Sequence, residues 1–229
     1  MGGVNVKNTI VEHILQILAP HPCCGCGRIG GLLCDDCKND IIHESYSGCI
    51  VCGQPQPLGI CYTHNSPIER VFVVSERTET ARSLIERLKF HNTKAAAKVL
   101  AECMHASLPM LPREAVIVSI PTVRSHIRQR GYDHAALIAR YFAHMRELQY
   151  DSPLQRKTKT TQHTVNRQTR QLQASHAFLL GTKVSLTGQT IVLVDDIITT
   201  ASTVMAAANV LKAAGATVWV AACAYQPLD

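Results

Sequence analysis

The 229-residue sequence predicts an α/β fold with a mostly parallel sheet, preceded by a cysteine-rich module. Three observations carry this reading. Short β-branched apolar runs alternate with stretches whose apolar residues recur every three or four positions, as expected of buried strands covered by helices. Eight of the ten cysteines lie between Cys23 and Cys61, several of them as Cys-x-x-Cys; this is metal-ligand spacing in a reducing compartment rather than a disulfide framework. Finally, one apolar run, residues 191–194, ends in two acids and a loop of hydroxyl residues that leads into a helical pattern.

The length allows one large domain or a core plus a small module, and 46% apolar residues supply an ordinary core. No apolar run is long enough to span a bilayer, so no membrane insertion is expected. Near the N-terminus Ile10, Ile14, Ile17 and Leu18 recur at helical spacing, while Glu12, His13 and Gln16 break the apolar core that a signal peptide needs. The expectation is an amphipathic helix over residues 1–22 and a cytoplasmic protein. A formal charge of +6 permits a polyanionic partner without requiring one.

Residues 23–66 form the cysteine-rich module. Cys23, Cys26, Cys34 and Cys37 make one four-thiolate set, and Cys49, Cys52, Cys61 and His64 a second; an interleaved pairing of the four knuckles is also open. Gly25, Gly27, Gly48 and Gly53 supply turns that let backbone N–H groups face the sulfurs, and Cys24 is surplus. With few large apolar side chains, such a module depends on structural zinc for much of its stability. The turn at Asn65, Ser66 and Pro67 marks the boundary with the larger domain, residues 67–229.

Within that domain Val71 and Val74 bound a strand, and Ala81, Leu84, Ile85 and Leu88 line one face of the following helix. Lys89 and His91 close this helix. They complement its dipole, with a contact to ligand phosphate as the alternative. A second helix is expected over residues 93–107 and a buried strand over 116–120, ending in Pro121, Thr122, Val123 and Arg124. Ala135, Ile138, Ala139 and Phe142 mark the inner face of another helix. Over residues 151–173 apolar periodicity disappears, and Arg156, Lys157, Lys159, Arg167 and Arg170 stand against Asp151. This segment reads as a lid over phosphates or as a solvated tether. Residues 178–184 suggest a hairpin arm turned at Gly181; Gly215 caps a helix, and the last strand covers 218–224.

The chemistry concentrates in residues 191–203. A hydroxyl loop at a helix N-terminus offers free N–H groups and the positive end of the helix dipole to a phosphate. Asp195 and Asp196 suit ribose hydroxyls or, through water, magnesium. This stretch resembles the 5-phosphoribosyl 1-diphosphate (PRPP) motif of type I phosphoribosyltransferases. The resemblance implies that Asp195 and Asp196 contact the ribose as the catalytic acids, and that Thr199, Thr200, Ala201, Ser202 and Thr203 wrap the 5′-phosphate. It departs at Ala201, commonly Gly; a positive φ there would cost Ala about 1 kcal/mol. Ligands bind beyond the carboxyl ends of strands in open α/β sheets, so Pro121, Thr122 with its free hydroxyl, Arg124 and Arg130 are expected to face the same ligand and suit its pyrophosphate.

Taken together, this order resembles the ComF family: a double zinc ribbon followed by a type I phosphoribosyltransferase-like domain. The resemblance also rests on Arg130-Gly131-Tyr132 and on Arg156, Thr160 and Gln162; Asp133-His134 stands where Asn-Gln is usual. It implies a role in natural transformation, handling imported single-stranded DNA, with PRPP, zinc and magnesium bound and a DNA-uptake helicase or recombination proteins as partners. A nucleobase salvage phosphoribosyltransferase is the alternative, and the acceptor stays open. Residues 124–173 hold ten Lys and Arg against three Asp and Glu, a polyanion footprint. Tyr46, Tyr62 and Tyr132 are the nearest candidates for base stacking.

Overall fold

A computed structural model describes residues 21–43, 46–76, 78–157, 177–181 and 185–226. The helix expected over 1–22 lies almost wholly outside the described residues, as do Thr160, Gln162 and most of the basic segment. The elements in chain order are α1 (Asp35–His43), β1 (Arg70–Glu76), α2 (Glu79–Phe90), α3 (Ala95–Ser107), β2 (Val116–Ser119), α4 (Arg124–Arg130), α5 (His134–Met145), β3 (Gln149–Asp151), β4 (Leu154–Arg156), β5 (Phe178–Leu180), β6 (Thr190–Ile198), α6 (Ala201–Ala213) and β7 (Thr217–Tyr225).

Five strands form one parallel sheet in the order β1-β7-β6-β2-β3. Its central strand β6 is apolar on both faces because helices cover both. Val192 and Val194 pack with residues of α2, α3 and α5, whereas Ile191 and Leu193 pack with Val204, Ala207 and Leu211 of α6. The split follows from the two-residue period of a strand. Helix α2 buries Ala81, Leu84, Ile85 and Leu88, the face its spacing predicts, and begins where Thr78 Oγ1 accepts a hydrogen bond from the Ala81 N–H at 3.2 Å. Each large aliphatic side chain buried in this way contributes about 1.5–3 kcal/mol.

The cysteine-rich segment packs along β1 at the sheet edge. The Val71 N–H donates to the Leu58 carbonyl at 2.8 Å, and Tyr46 stacks on Tyr225 with ring centroids 4.3 Å apart. Gly59, at φ +70°, lies so close to β1 that a Cβ would stand 2.4 Å from the Val71 carbonyl oxygen. Leu32 and Ile41 join one half of the core, and Ile50 and Ile60 the other. Shared apolar burial thus supplements whatever a metal provides.

Two local expectations are corrected. β6 continues through the two acids to Ile198, because Asp195 and Ile197 keep their ladder partners Ala222 and Ala224 on β7. Of the arm expected over 178–184, Phe178–Leu180 pairs antiparallel with the earlier Leu154–Arg156 and the Gly181 N–H donates to the Pro153 carbonyl, while residues 182–184 lie outside the described residues. The basic segment therefore joins the two strands of this ribbon, and its first residues are strand rather than loop.

Candidate functional site

β2 and β6 are parallel neighbours, so both carboxyl ends lie at one end of the sheet, where the Ile120 N–H donates to the Val194 carbonyl. The β2–α4 turn, the acids of β6 and the first turn of α6 therefore meet at that end.

The two acids are not equivalent. Successive strand residues point to opposite faces, and Asp196 points into the α2/α5 side, where only 3% of it is exposed. There its Oδ2 lies 2.6 Å from Lys89 Nζ and 3.1 Å from His134 Nε2, while its Oδ1 accepts from the Ile197 N–H at 2.8 Å. Burial pushes the Asp196 carboxyl up, but the hydrogen bond from His134 and the charge of Lys89 outweigh it and hold the group below the carboxylate range. Asp195 is only partly covered, and its Oδ1 accepts from the Asp196 N–H at 2.9 Å. Burial first, and the neighbouring charge of Asp196 second, push its carboxyl well above the usual value.

Behind Asp196 the network continues. Arg130 Nη1 lies 3.0 Å from His134 Nδ1. A guanidinium can only donate, so Nδ1 accepts from Arg130, and the other ring nitrogen, Nε2, faces Asp196 Oδ2. Asp133 caps α5 by accepting from the Ala136 N–H at 3.1 Å, and its Oδ1 also accepts from the Thr122 hydroxyl at 2.8 Å. The Thr122 hydroxyl, expected to be free, is thus engaged as a donor. Its lone pairs and the exposed Arg124 remain at the mouth of the site.

Thr199 and Thr200 are exposed, while Ala201, Ser202 and Thr203 are half-buried in the first turn of α6. Thr200 is the extended N-cap residue, and its side chain makes no cap bond; its Oγ1 lies 2.7 Å from Ser202 Oγ. Ala201 opens the helix, and the non-glycine residues with positive φ among those described are Asn92 and Glu147. Alanine in place of the usual glycine therefore carries no left-handed strain. Arg156, on a segment that reads as a lid or a solvated tether, turns inward: its guanidinium lies 5.3 Å from the Phe178 ring centroid and its charge acts on Asp195.

Sequence reasoning missed two members of this site. Lys89, which by its place at the end of α2 suits the helix dipole or a ligand phosphate, is a half-buried partner of Asp196. His134 was visible only as a departure from a family pattern, and that departure was the available signal.

The eight metal-ligand candidates form two sets. Cys23, Cys26, Cys34 and Cys37 bring their sulfurs within 4.8 Å of one another, as do the donor atoms of Cys49, Cys52, Cys61 and His64. The knuckles thus pair in chain order rather than interleaved. Backbone N–H groups face the sulfurs, from Cys34 to Cys23 at 3.4 Å and from Cys61 to Cys49 at 3.3 Å, as thiolates require. His64 Nε2 is buried without a hydrogen-bond partner among the described residues, and a Cβ on Gly25 would stand 2.6 Å from Cys37 Sγ. Both features fit a tetrahedral zinc ion that takes the orphaned nitrogen and the close-set sulfurs.

Residues 127–228 match the family model described as phosphoribosyl transferase domain. The DNA utilization protein YhgH of Salmonella typhi is 29% identical over 197 residues, spanning 80% of this chain and 86% of that protein. The protein of the same name from Escherichia coli strain K12 is 30% identical over 183 residues, spanning 73% and 79%. A crystal structure of a hypoxanthine phosphoribosyltransferase from Staphylococcus aureus aligns with a TM-score of 0.32 at 11% identity, covering 58% of this chain and 62% of that one.

Proposed function

Because this chain belongs to the ComF family, with a phosphoribosyltransferase-type domain behind a metal-ligating cysteine module, we propose that it binds PRPP with magnesium and acts on imported single-stranded DNA in natural transformation. The observation that supports PRPP binding most is the meeting, at one end of the sheet, of the Asp195–Asp196 pair with the uncapped first turn of α6. Relatives named for DNA utilization support the second half of the reading. The proposed division is a helix over 1–22, a double zinc ribbon over 23–66 and the phosphoribosyltransferase-like domain over 67–229, in the cytoplasm. DNA-uptake helicases or recombination proteins are the partners this role calls for.

In this reading Asp195 takes ribose hydroxyls, with Asp196 beside it fixed by Lys89 and His134. The backbone N–H groups at Thr199, Thr200, Ala201, Ser202 and Thr203 hold the 5′-phosphate. Pro121, Thr122, Arg124 and Arg130 border the pyrophosphate end. Asp195 and Asp196 would hold magnesium, which would supply charge neutralisation at the pyrophosphate. If transfer follows, the anomeric C–O bond to pyrophosphate breaks with its electron pair leaving on oxygen, a bond to the acceptor forms, and the acceptor loses a proton. The chain's part is to fix the two phosphate ends and stabilise the leaving charge.

Thermal unfolding with and without PRPP and magnesium tests the reading, since a ligand that binds only the folded state adds RT ln(1 + [L]/Kd). Wild type should shift upward, and Asp195→Asn should lose most of that shift; an equal shift in both removes Asp195 from the site. Pyrophosphate release with free bases but no affinity for single-stranded DNA would move the reading to nucleobase salvage. For the DNA role, labelled single strands are titrated at rising salt against wild type and a Lys157, Lys159, Arg167, Arg170→Ala variant. A shallower salt slope in the variant is expected.

A further inference from the structure

The C-terminal ends of α2 and α4 enclose a cleft of about 270 Å³ lined by Lys89, Phe90, Asn92, Gln129, Arg130 and Tyr132. We propose that this cleft is a binding site for one nucleotide unit, a base with its phosphate, of the strand that the protein handles. This deepens the DNA half of the function proposed above and rests on it.

The argument begins with Phe90. It is 69% exposed at the end of a helix whose other large apolar residues are buried, and nothing in the packing of α2 requires an aromatic ring there. The Arg130 guanidinium lies 5.3 Å from its ring centroid and leaves most of the ring open. An exposed aromatic ring beside a guanidinium plane is the device by which proteins stack a single-stranded base. The aromatic residues suggested by sequence do not serve as well. Tyr46 is stacked on Tyr225, and Tyr132 is 8% exposed with its hydroxyl donated to the Leu88 carbonyl. Tyr62 is open but belongs to the cysteine-rich segment and is not among the residues that line this cleft.

The remaining lining matches the rest of a nucleotide. Asn92 and Gln129 carry amides, which can donate and accept together along a base edge. Lys89 and Arg130 line the cleft as cations, Lys94 stands 5.2 Å from the Tyr132 ring, and no carboxylate is among the lining residues. The volume lies just below the usual range for small-molecule sites, about 300–1,000 Å³, so it suits one unit rather than several.

The position gives the cleft a further meaning. Lys89 also binds Asp196, and Arg130 also binds His134, so both cations join this cleft to the acid pair. A nucleotide stacked on Phe90 is thereby held next to the end of the sheet where the ribose acids lie.

The test uses the full zinc-loaded chain and fluorescently labelled (dT)12 at low salt, with dTMP and inorganic phosphate as competitors. Wild type should bind the oligonucleotide, Phe90→Ala should bind it about tenfold more weakly, the size of one lost base–aromatic stack, and Phe90→Trp should restore it. Competition by dTMP but not by phosphate would assign the site to a nucleotide unit whatever its source, and a large preference for (dT)12 over dTMP would assign it to the strand. Equal affinity in wild type and Phe90→Ala overturns the cleft while leaving DNA binding through other basic residues standing. No affinity in wild type overturns the cleft and the DNA role together. Stabilisation by PRPP with magnesium, read separately on wild type, tells whether the phosphoribosyl half of the proposed function survives either result.

Discussion

The half-buried Lys89 and the buried Asp196 form an ion pair, Nζ to Oδ2 at 2.6 Å, that joins the end of α2 to the central strand. Removing one partner of a buried pair leaves the other charge uncompensated, which costs far more than the pair contributes. Lys89→Met should lower unfolding stability by about 3 kcal/mol, since His134 still bonds Asp196 and limits the loss. Urea unfolding at neutral pH measures this, and a change below about 0.5 kcal/mol, typical of a surface position, would remove the pair from the stabilising network.

The acids should leave opposite signatures in pH. Asp195 holds its proton more tightly folded than unfolded, so its contribution is complete below the ordinary value of 3.8 and is lost as pH rises through the raised folded pKa. Asp196 is depressed, so its contribution is present above 3.8 and is lost as pH falls through the lowered folded pKa. Asp195→Asn should therefore be more stable than wild type by a margin that is small near pH 4 and widens toward neutrality. Asp196→Asn should be less stable, by a deficit that shrinks on acidification. Denaturant midpoints across that range decide it; curves parallel to wild type would contradict both assignments.

Zinc should copurify at close to two equivalents. His64→Ala opens one quartet, and its metal content should fall toward one equivalent with a lowered melting temperature. Metal analysis by mass spectrometry after purification without added zinc gives the count. Two equivalents retained in the variant would mean that His64 Nε2 is not a ligand.

Ala201→Gly restores the residue that phosphate loops of this type commonly carry, yet it should not help. Ala201 is already helical, so glycine there only adds chain entropy to be lost, at a cost of up to about 1 kcal/mol. The expected result is a slightly lower melting temperature and no gain in stabilisation by PRPP. Tighter PRPP binding in the variant would show that the loop changes conformation around its ligand.

Elements that depend on local pattern were legible in the sequence. The faces of α2 and α5, the doubly covered strand β6 and the four cysteine knuckles follow from spacings of two, three and four residues, and spacing is written in the chain. Which knuckle partners which was not legible, because both pairings satisfy the same local rule. Only the path of the chain along β1 brings Cys23 to Cys34 and Cys49 to Cys61.

For the site, the sequence alone determined that two carboxylates and a run of hydroxyls stand where a parallel strand meets a helix. Tertiary structure decided what each group does. Asp195 and Asp196 are adjacent and identical in the chain, but the pleat sends one to the side where the charge of Arg156 acts and the other onto Lys89 and His134, 107 and 62 positions away in the sequence. A carboxylate takes its charge state from whatever stands within a few ångströms, and that distance is set by how helices pack on a sheet rather than by neighbours in sequence.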